Sequence, residues 1–383
     1  MKIVMVMPYL KSIGGANRYG WELSEYLASC GDEVILASLY TDEKLFSSKQ
    51  NIRIVNLADE QSLTQSITFW LNLRKTRKKL FDLVKKEKPD IIFFNHYPST
   101  MWAQKFDDVP ILCYPQDINL LYTDTYINNL PFNKRIPWRF IRLFVRFYDK
   151  NKWKFFDEII CHSNFTAKNI KKHYNFDSKV MLLGTDTVKF SPQTTKKSKC
   201  ILTLGDTKIR RADLLLKAAS KLSAKRNDFK IWIVGSNGQL DIDLKNFAKK
   251  SNLTENVEFF GKVSDKKLAE LYSQALVVVH LVKEAPFGLI VTESMSCGTP
   301  VISWKPGGPE EIIEHGKTGF LIKENDEKNL ITYIEKFLDS SDLSNIMGSK
   351  SQKRIKENFD LSLHHKQMRD HLKYWIDKKS ITK

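Results

Sequence analysis

Between Ala275 and Ile322 the chain runs twice through one short programme: an apolar run, a tight turn, and the start of a helix. The first round is the run 275–282, then Glu284, then Pro286-Phe287-Gly288 and a short helix carrying Glu293. The second is the run 299–303, then Pro306-Gly307-Gly308-Pro309 and the acidic helix start Glu310-Glu311. Continuous apolar strands alternating with helices build an open parallel sheet covered on both faces, since neither element can bury its apolar side alone. Such sheets bind ligands at the carboxyl ends of their strands. Helix N-termini there offer unpaired N–H groups and the positive end of the macrodipole to anions. Carboxylates beside them suit sugar hydroxyls. The stretch therefore predicts a site for a phosphate-bearing polyol.

The alternation extends over most of the chain. Strand 2–7 leads into Gly14-Gly15-Ala16 and a helix over about 18–29, with Trp21, Leu23, Tyr26 and Leu27 at helical spacing. The short start breaks at Pro8 and reads as a first strand, not a signal peptide. Strand 33–39 follows, then a basic amphipathic helix over 70–88 with Leu73, Leu80, Phe81 and Val84 inward. Strand 91–94 ends at Asn95-His96-Tyr97, strand 111–113 is followed by Gln116-Asp117, and strand 158–161 by His162. The polar tract 193–199 reads as a linker. Beyond it come strands 201–204, 230–234 and 257–260 with helices 212–222, 240–250 and 266–274. At 383 residues the chain exceeds one comfortable core, so two successive doubly wound α/β domains are expected, 1–192 and 193–354.

The net charge of +17 points to a polyanionic partner. Its densest segment is 133–156, where Arg139, Arg142, Arg146 and Lys150 form one helical stripe and Phe140, Leu143, Phe144 and Phe147 form others. Such a helix lies in the interface of an anionic membrane, or it is a domain helix with one face in the core and its arginines in water. Both readings stand at this point. DNA-reading motifs and base-stacking RNA modules are absent, so no nucleic-acid partner is expected. No run of eighteen apolar residues exists. Five scattered cysteines without CxxC spacing fit a reducing, cytoplasmic setting and no structural zinc. HExxH, HxxEH, GxSxG and P-loop patterns do not occur. His364-His365 reads as a surface pair on a C-terminal helix.

The ordered motifs resemble the retaining GT-B glycosyltransferases of family 4. Gly14-Gly15-Ala16 with Gly31-Asp32-Glu33-Val34 is similar to the family's N-terminal pattern, and Leu183-Gly184-Thr185-Asp186 with Phe190-Ser191-Pro192 to its connector. Residues 256–263, 293–302, 307–313 and 316–321 follow in the family's order. The resemblance implies two Rossmann-like domains facing across a cleft, with a helix of about 355–380 packing back on the first. It implies that Glu293 binds ribose hydroxyls and that amides of Phe287, Gly288, Leu289 and Ile290 hold the diphosphate. Backbone around Gly261 and Val263 would read the base, and Gly14 and Gly15 would approach the phosphates. The nucleotide sugar is a co-substrate, and neither metal nor other cofactor is expected.

Three departures from the family pattern bear on catalysis. The family's paired glutamates are separated by seven residues, whereas Glu284 and Glu293 have eight between them, which puts Ala285 in the first glutamate's slot. Either a one-residue bulge restores the reach of Glu284 to the donor hexose, or that contact is lost. Asp206 stands in the slot of the family's diphosphate-clamping arginine, leaving Lys208, Arg210 or Arg211 to supply the cation, with Arg210 assigned the leaving group. The acceptor-side His-Asp reads Gln116-Asp117, and glutamine cannot become charged as histidine can. His96 or His162 could substitute. The expected function is retaining transfer of a hexose from a UDP- or GDP-sugar to a lipid-linked saccharide or surface-polysaccharide acceptor. The basic helices 70–88 and 133–156 would then rest on the inner face of the plasma membrane. The alternatives are a degenerate GT-B protein that binds nucleotide sugar or glycan without turnover, and a soluble synthase with a small sugar acceptor.

Overall fold

The apolar runs become strands wherever both faces of the run can be covered. The computed structural model describes residues 1–10, 15–42, 44–58, 67–106, 108–116, 118–122, 127, 132–193, 196–235 and 238–381. These fall into two compact units: 1–162 with 166–181 and 365–383, and 163–165 with 182–364.

In the first unit seven strands pair in parallel, in the order β3-β2-β1-β4-β5-β6-β7. They are β1 (Lys2–Leu10), β2 (Glu33–Thr41), β3 (Ile52–Asn56), β4 (Ile91–Asn95), β5 (Ile111–Tyr114), β6 (Glu158–Cys161) and β7 (Lys179–Val180). Central β1 lies between β2 and β4, which explains its unbroken apolar reading. Pro8 does not end it: pairing with β4 stops at Val6, so the proline's missing N–H lies past that ladder while β2 continues alongside to Leu10. Strand β3 went unread because it is a short edge strand, largely half-exposed. The order of strands reverses between β1 and β4.

The second unit repeats the plan with β8 (Cys200–Leu204), β9 (Lys230–Val234), β10 (Val257–Gly261), β11 (Val277–His280), β12 (Val301–Lys305) and β13 (Gly319–Lys323). Their order is β10-β9-β8-β11-β12-β13, so the reversal falls between β8 and β11. The core here is aliphatic with Phe229, Trp304, Phe320 and Phe337 set in it. Gly319 permits close packing at the β13 edge, because a Cβ there would lie 2.3 Å from the Val301 carbonyl. Lys197, in the polar tract read as a linker, donates to the carbonyls of Ala275 at 2.9 Å and Gly298 at 3.2 Å.

The C-terminal stretch is two helices, not one. Ser341–Asn358 stops at Phe359, and Leu361–Ile381 begins behind Asp360, whose carboxylate accepts from the Ser362 amide at 2.8 Å. His364 and His365 are buried, which corrects their reading as surface residues. His364 Nδ1 lies 3.0 Å from the Leu182 carbonyl, and the His365 ring packs 5.2 Å from that of Tyr26. In the first unit Arg369 holds Asp32 at 2.6 Å, and Asp32 also accepts the N-terminal amine at 3.0 Å. Helix Ile67–Glu87 buries Leu73, Leu80 and Val84 as expected.

Candidate functional site

The carboxyl ends of β8 to β12 carry the second unit's candidate residues. After β8 a single 3-10 turn, Lys208–Arg210, leads into helix Ala212–Ser223. Asp206 is no gap in the charge pattern, because its Oδ1 accepts Arg210 Nε at 3.0 Å and so holds that guanidinium in place. Arg211 adopts the left-handed conformation (φ 55°) and turns to Asp213, with contacts of 3.1 and 3.2 Å. Lys208 is exposed. Of the three, the charge of Arg210 is the one felt by Tyr272 and by His280 at the end of β11.

Behind β9, Gly235 needs its freedom: φ is 99°, and a Cβ would press to 3.2 Å of the Asp206 side chain. Its amide donates to the Gly261 carbonyl at 2.6 Å. Gly261 ends β10 with φ 57°, just after a register shift between Phe259 and Gly261. The ends of β9 and β10 are thereby joined through backbone. Val263 follows, half-buried.

After β11 the chain turns sharply at the acid whose spacing departs from the family's. Glu284 takes φ 48°, a left-handed turn residue, while Ala285 is buried and its carbonyl accepts the Gly308 amide at 2.8 Å. The slot given to Ala285 by counting thus points into the protein, and the half-buried residue at the turn is Glu284. A Cβ on Gly308 would lie 2.4 Å from Phe287 Cα, so the two loops touch through bare backbone. Phe287 is buried. Gly288 (φ 117°) is the N-cap of helix Leu289–Ser296, and its carbonyl accepts from Val291 and Thr292 at 2.9 and 3.2 Å. The amides of Leu289 and Ile290 belong to the first turn, which lies outside the helical ladder. One turn on, Glu293 is 9 % exposed, and the Tyr272 hydroxyl donates to its Oε2 at 3.4 Å. His280 is buried beside Ser303 (Nδ1 to Oγ 3.0 Å), and burial, then the charge of Arg210, pulls its pKa down to about 3.

In the first unit Gly15 opens helix Gly15–Ser29, while Gly14 and Asp117 lie outside the described residues. Gln116 (φ 55°) donates from Nε2 to Asn95 Oδ1 at 2.7 Å, joining the ends of β4 and β5. His162 is buried and His96 (φ 66°) half-buried, and desolvation of the two rings pulls both down to about 4, so each is neutral at physiological pH. Neither offers the cation that a family histidine could supply. Tyr272 and His280 were not singled out by sequence reasoning. Asn95 was legible as a strand-end residue, whereas the Tyr272–Glu293 contact joins separate helices and leaves no spacing signal. Among the described residues no group of three or more His, Cys, Asp or Glu could hold a metal.

Residues 13–187 match the family model Glycosyltransferase Family 4, and residues 185–354 match Glycosyl transferases group 1. The chain is 24% identical over 381 residues to N-acetyl-alpha-D-glucosaminyl L-malate synthase of Bacillus anthracis, covering 94% of this chain and 93% of that protein. It is 35% identical over 117 residues to human alpha-1,3/1,6-mannosyltransferase ALG2, covering 30% and 28%. The structure of sucrose-phosphate synthase from Thermosynechococcus elongatus superposes with a TM-score of 0.82 at 18% identity, over 98% of this chain and 99% of that one. Anabaena HepE in complex with UDP superposes with a TM-score of 0.77 at 17% identity, over 98% and 100%.

Proposed function

The chain is a glycosyltransferase of family 4 with the GT-B fold, and from that premise we propose that it moves a hexose, with retention, from a UDP- or GDP-sugar to a lipid-linked saccharide or surface-polysaccharide acceptor. The observation that carries this reading is the Gly288–Glu293 arrangement. A helix N-terminus with open first-turn amides stands one turn before a buried carboxylate, and Arg210 is held at the neighbouring strand end. In this assignment the amides of Leu289 and Ile290 and the Arg210 guanidinium face the diphosphate, and Glu293 accepts from the ribose hydroxyls. The bond from the sugar's anomeric carbon to the diphosphate breaks, and its electron pair leaves with the diphosphate. Preorganised amides and a cation favour that charge, because they need not reorient as it develops. The acceptor hydroxyl enters on the face the diphosphate leaves, its proton passing to an oxygen of the departing diphosphate, which gives retention. Anabaena HepE with bound UDP-glucose supports a nucleotide-sugar donor for this fold.

A small-acceptor synthase is the second reading, favoured by the names of two relatives, the L-malate synthase and a D-inositol 3-phosphate glycosyltransferase of Arthrobacter. A thermal-shift screen followed by transfer assays separates the readings. At a hundredfold excess over its dissociation constant a bound nucleotide adds about 2.7 kcal/mol of stability. We expect UDP or GDP to raise the melting temperature and its hexose ester to be consumed with a lipid-linked saccharide present. Consumption with small polyol or hydroxy-acid acceptors alone would favour the synthase. Nucleotide binding without any turnover would leave a non-catalytic binding protein.

A further inference from the structure

The helix Phe132–Lys152 belongs to the first unit and is moored by one narrow face. Val145 and Asp149 are buried there, and the Asp149 carboxylate accepts from Thr100 Oγ1 at 2.5 Å, Tyr174 Oη at 2.6 Å and Trp153 Nε1 at 3.1 Å. The opposite face carries Ile136, Phe140, Leu143, Phe144 and Phe147, each between 58 and 71 % exposed. At 3.6 residues per turn these five span about 100° of the helix circumference, a continuous stripe. Six of the fourteen large apolar side chains found exposed among the described residues lie on this one helix, counting Ile141. Exposed apolar surface concentrated in this way marks an interaction site.

The charges beside the stripe decide its occupant. Arg139 and Lys150 are exposed along one flank, next to half-buried Arg135 and Arg146. The Arg146 guanidinium lies over the Tyr122 ring at 4.8 Å, so that flank is braced against the body of the unit. The only acidic residue of the helix, Asp149, faces inward. Helix Ile67–Glu87 adds exposed Arg74, Lys75 and Lys78 to the same unit. A second copy of this chain would set cation against cation across the stripe. A neutral protein groove would leave the cations without a counter-charge.

We propose that the 136–147 aromatic face inserts into the headgroup layer of an anionic lipid bilayer, with Arg139 and Lys150 at the phosphate level. Apolar rings in the acyl boundary and cations at the headgroups are the two contributions from which an interfacial helix draws its binding. Among its described side chains, helix Ile67–Glu87 contributes charge, since Leu73, Leu80 and Val84 are buried. This docking does not depend on which acceptor the enzyme uses.

Full-length protein is mixed with phosphatidylglycerol or phosphatidylcholine vesicles and floated on a density gradient, with solution mass measured in parallel by light scattering. We expect flotation with phosphatidylglycerol and little with phosphatidylcholine. The double variant Phe140→Ser/Phe147→Ser should partition at least about tenfold more weakly, because each lost ring removes apolar area from the acyl boundary. Its melting temperature should stay unchanged, because both rings are exposed. Flotation of the double variant equal to that of the parent overturns the proposal. So does absence of binding to phosphatidylglycerol vesicles at low salt. A wild-type dimer that the double variant dissociates, without lipid binding, assigns the stripe to a second copy instead.

Discussion

Glu284 is the residue at which spacing and backbone geometry must be weighed separately. Read by spacing, the acid is out of register; in the fold it sits in a left-handed turn with its neighbour Ala285 turned into the core. That outcome was not legible, because spacing counts residues whereas register is settled by dihedral angles and by the Ala285–Gly308 backbone contact. What was legible were the groups whose chemistry is local: Gly288 before a helix, and Glu293 one turn along it. Glu293→Ala should weaken donor binding by roughly 1.5–3 kcal/mol, about ten- to a hundredfold, as a charged hydrogen-bonding group is lost. Isothermal titration with the nucleotide found by the screen measures it, and unchanged affinity and rate would sink the ribose assignment. Glu284→Gly suits φ 48° without strain, so it should keep the melting temperature within a few degrees while lowering transfer if the acid reaches the hexose. The desolvated histidines make a separate prediction. His96 and His162 are depressed to about 4 and His280 to about 3 by burial, against 6.5 for the exposed ring. The unfolded chain binds more protons below pH 6.5, so stability is full above that value and falls as the pH drops toward 4. Urea midpoints at pH 7 and pH 5 should differ in that sense. His96→Asn, which tolerates the left-handed backbone, should reduce the difference.

At the scale of elements, the sequence tells strands from helices well but says less about which faces of a helix are covered. The continuous apolar runs of β1, β4, β11 and β12 were plain because both sheet faces bury them. Strands β3 and β13 were missed: β3 is short and half-exposed, and β13 follows a Gly-rich turn where three apolar residues alone give no period. The break at Phe359–Asp360 was missed too, since the helical pattern on either side is continuous and the interruption depends on tertiary contacts of Asp360 with residue 185. The helix Phe132–Lys152 is the sharpest case. Its sequence fits equally a core helix and an interfacial one, and the burial of Asp149 fixes which side faces inward while the aromatic stripe stays exposed. Asp149 is fully buried, and burial raises its pKa while its three donors work the other way. Asp149→Ala removes the acceptor of three buried donors, so it should destabilise the first unit by about 3 kcal/mol or more. Phe144→Ser on the exposed face should leave stability nearly unchanged. Chemical denaturation of both variants tests the pair, and a reversed order would mean that the helix is moored by its aromatic face.

At the scale of the whole chain, the two units carry separate parallel sheets and separate cores, and the C-terminal helix belongs in part to the first although the second precedes it in sequence. Residues 365–381 bury Met368 and Leu372 completely and place Arg369 on Asp32 and His371 and Trp375 on Glu158. Each of these contacts is with residues of the first unit, so the last helix completes a core begun at Met1. The charge of Arg369 and the N-terminal amine hold Asp32 below its usual range despite burial, and the His371 and Trp375 donors do the same for Glu158. Loss of the helix would therefore strand two carboxylates in partly desolvated positions while opening apolar surface, two penalties of the same sign. Leu372→Ala isolates the packing part, at roughly 2–5 kcal/mol for a buried leucine, and Arg369→Ala the electrostatic part. Two units with separate sheets and separate cores should melt as separable transitions. Leu372→Ala should then lower one calorimetric transition and leave the other in place, and nucleotide should raise the one that Leu372→Ala does not move. If both transitions shift together in the variant, or if nucleotide raises the one carrying Leu372, the donor site has been assigned to the wrong unit.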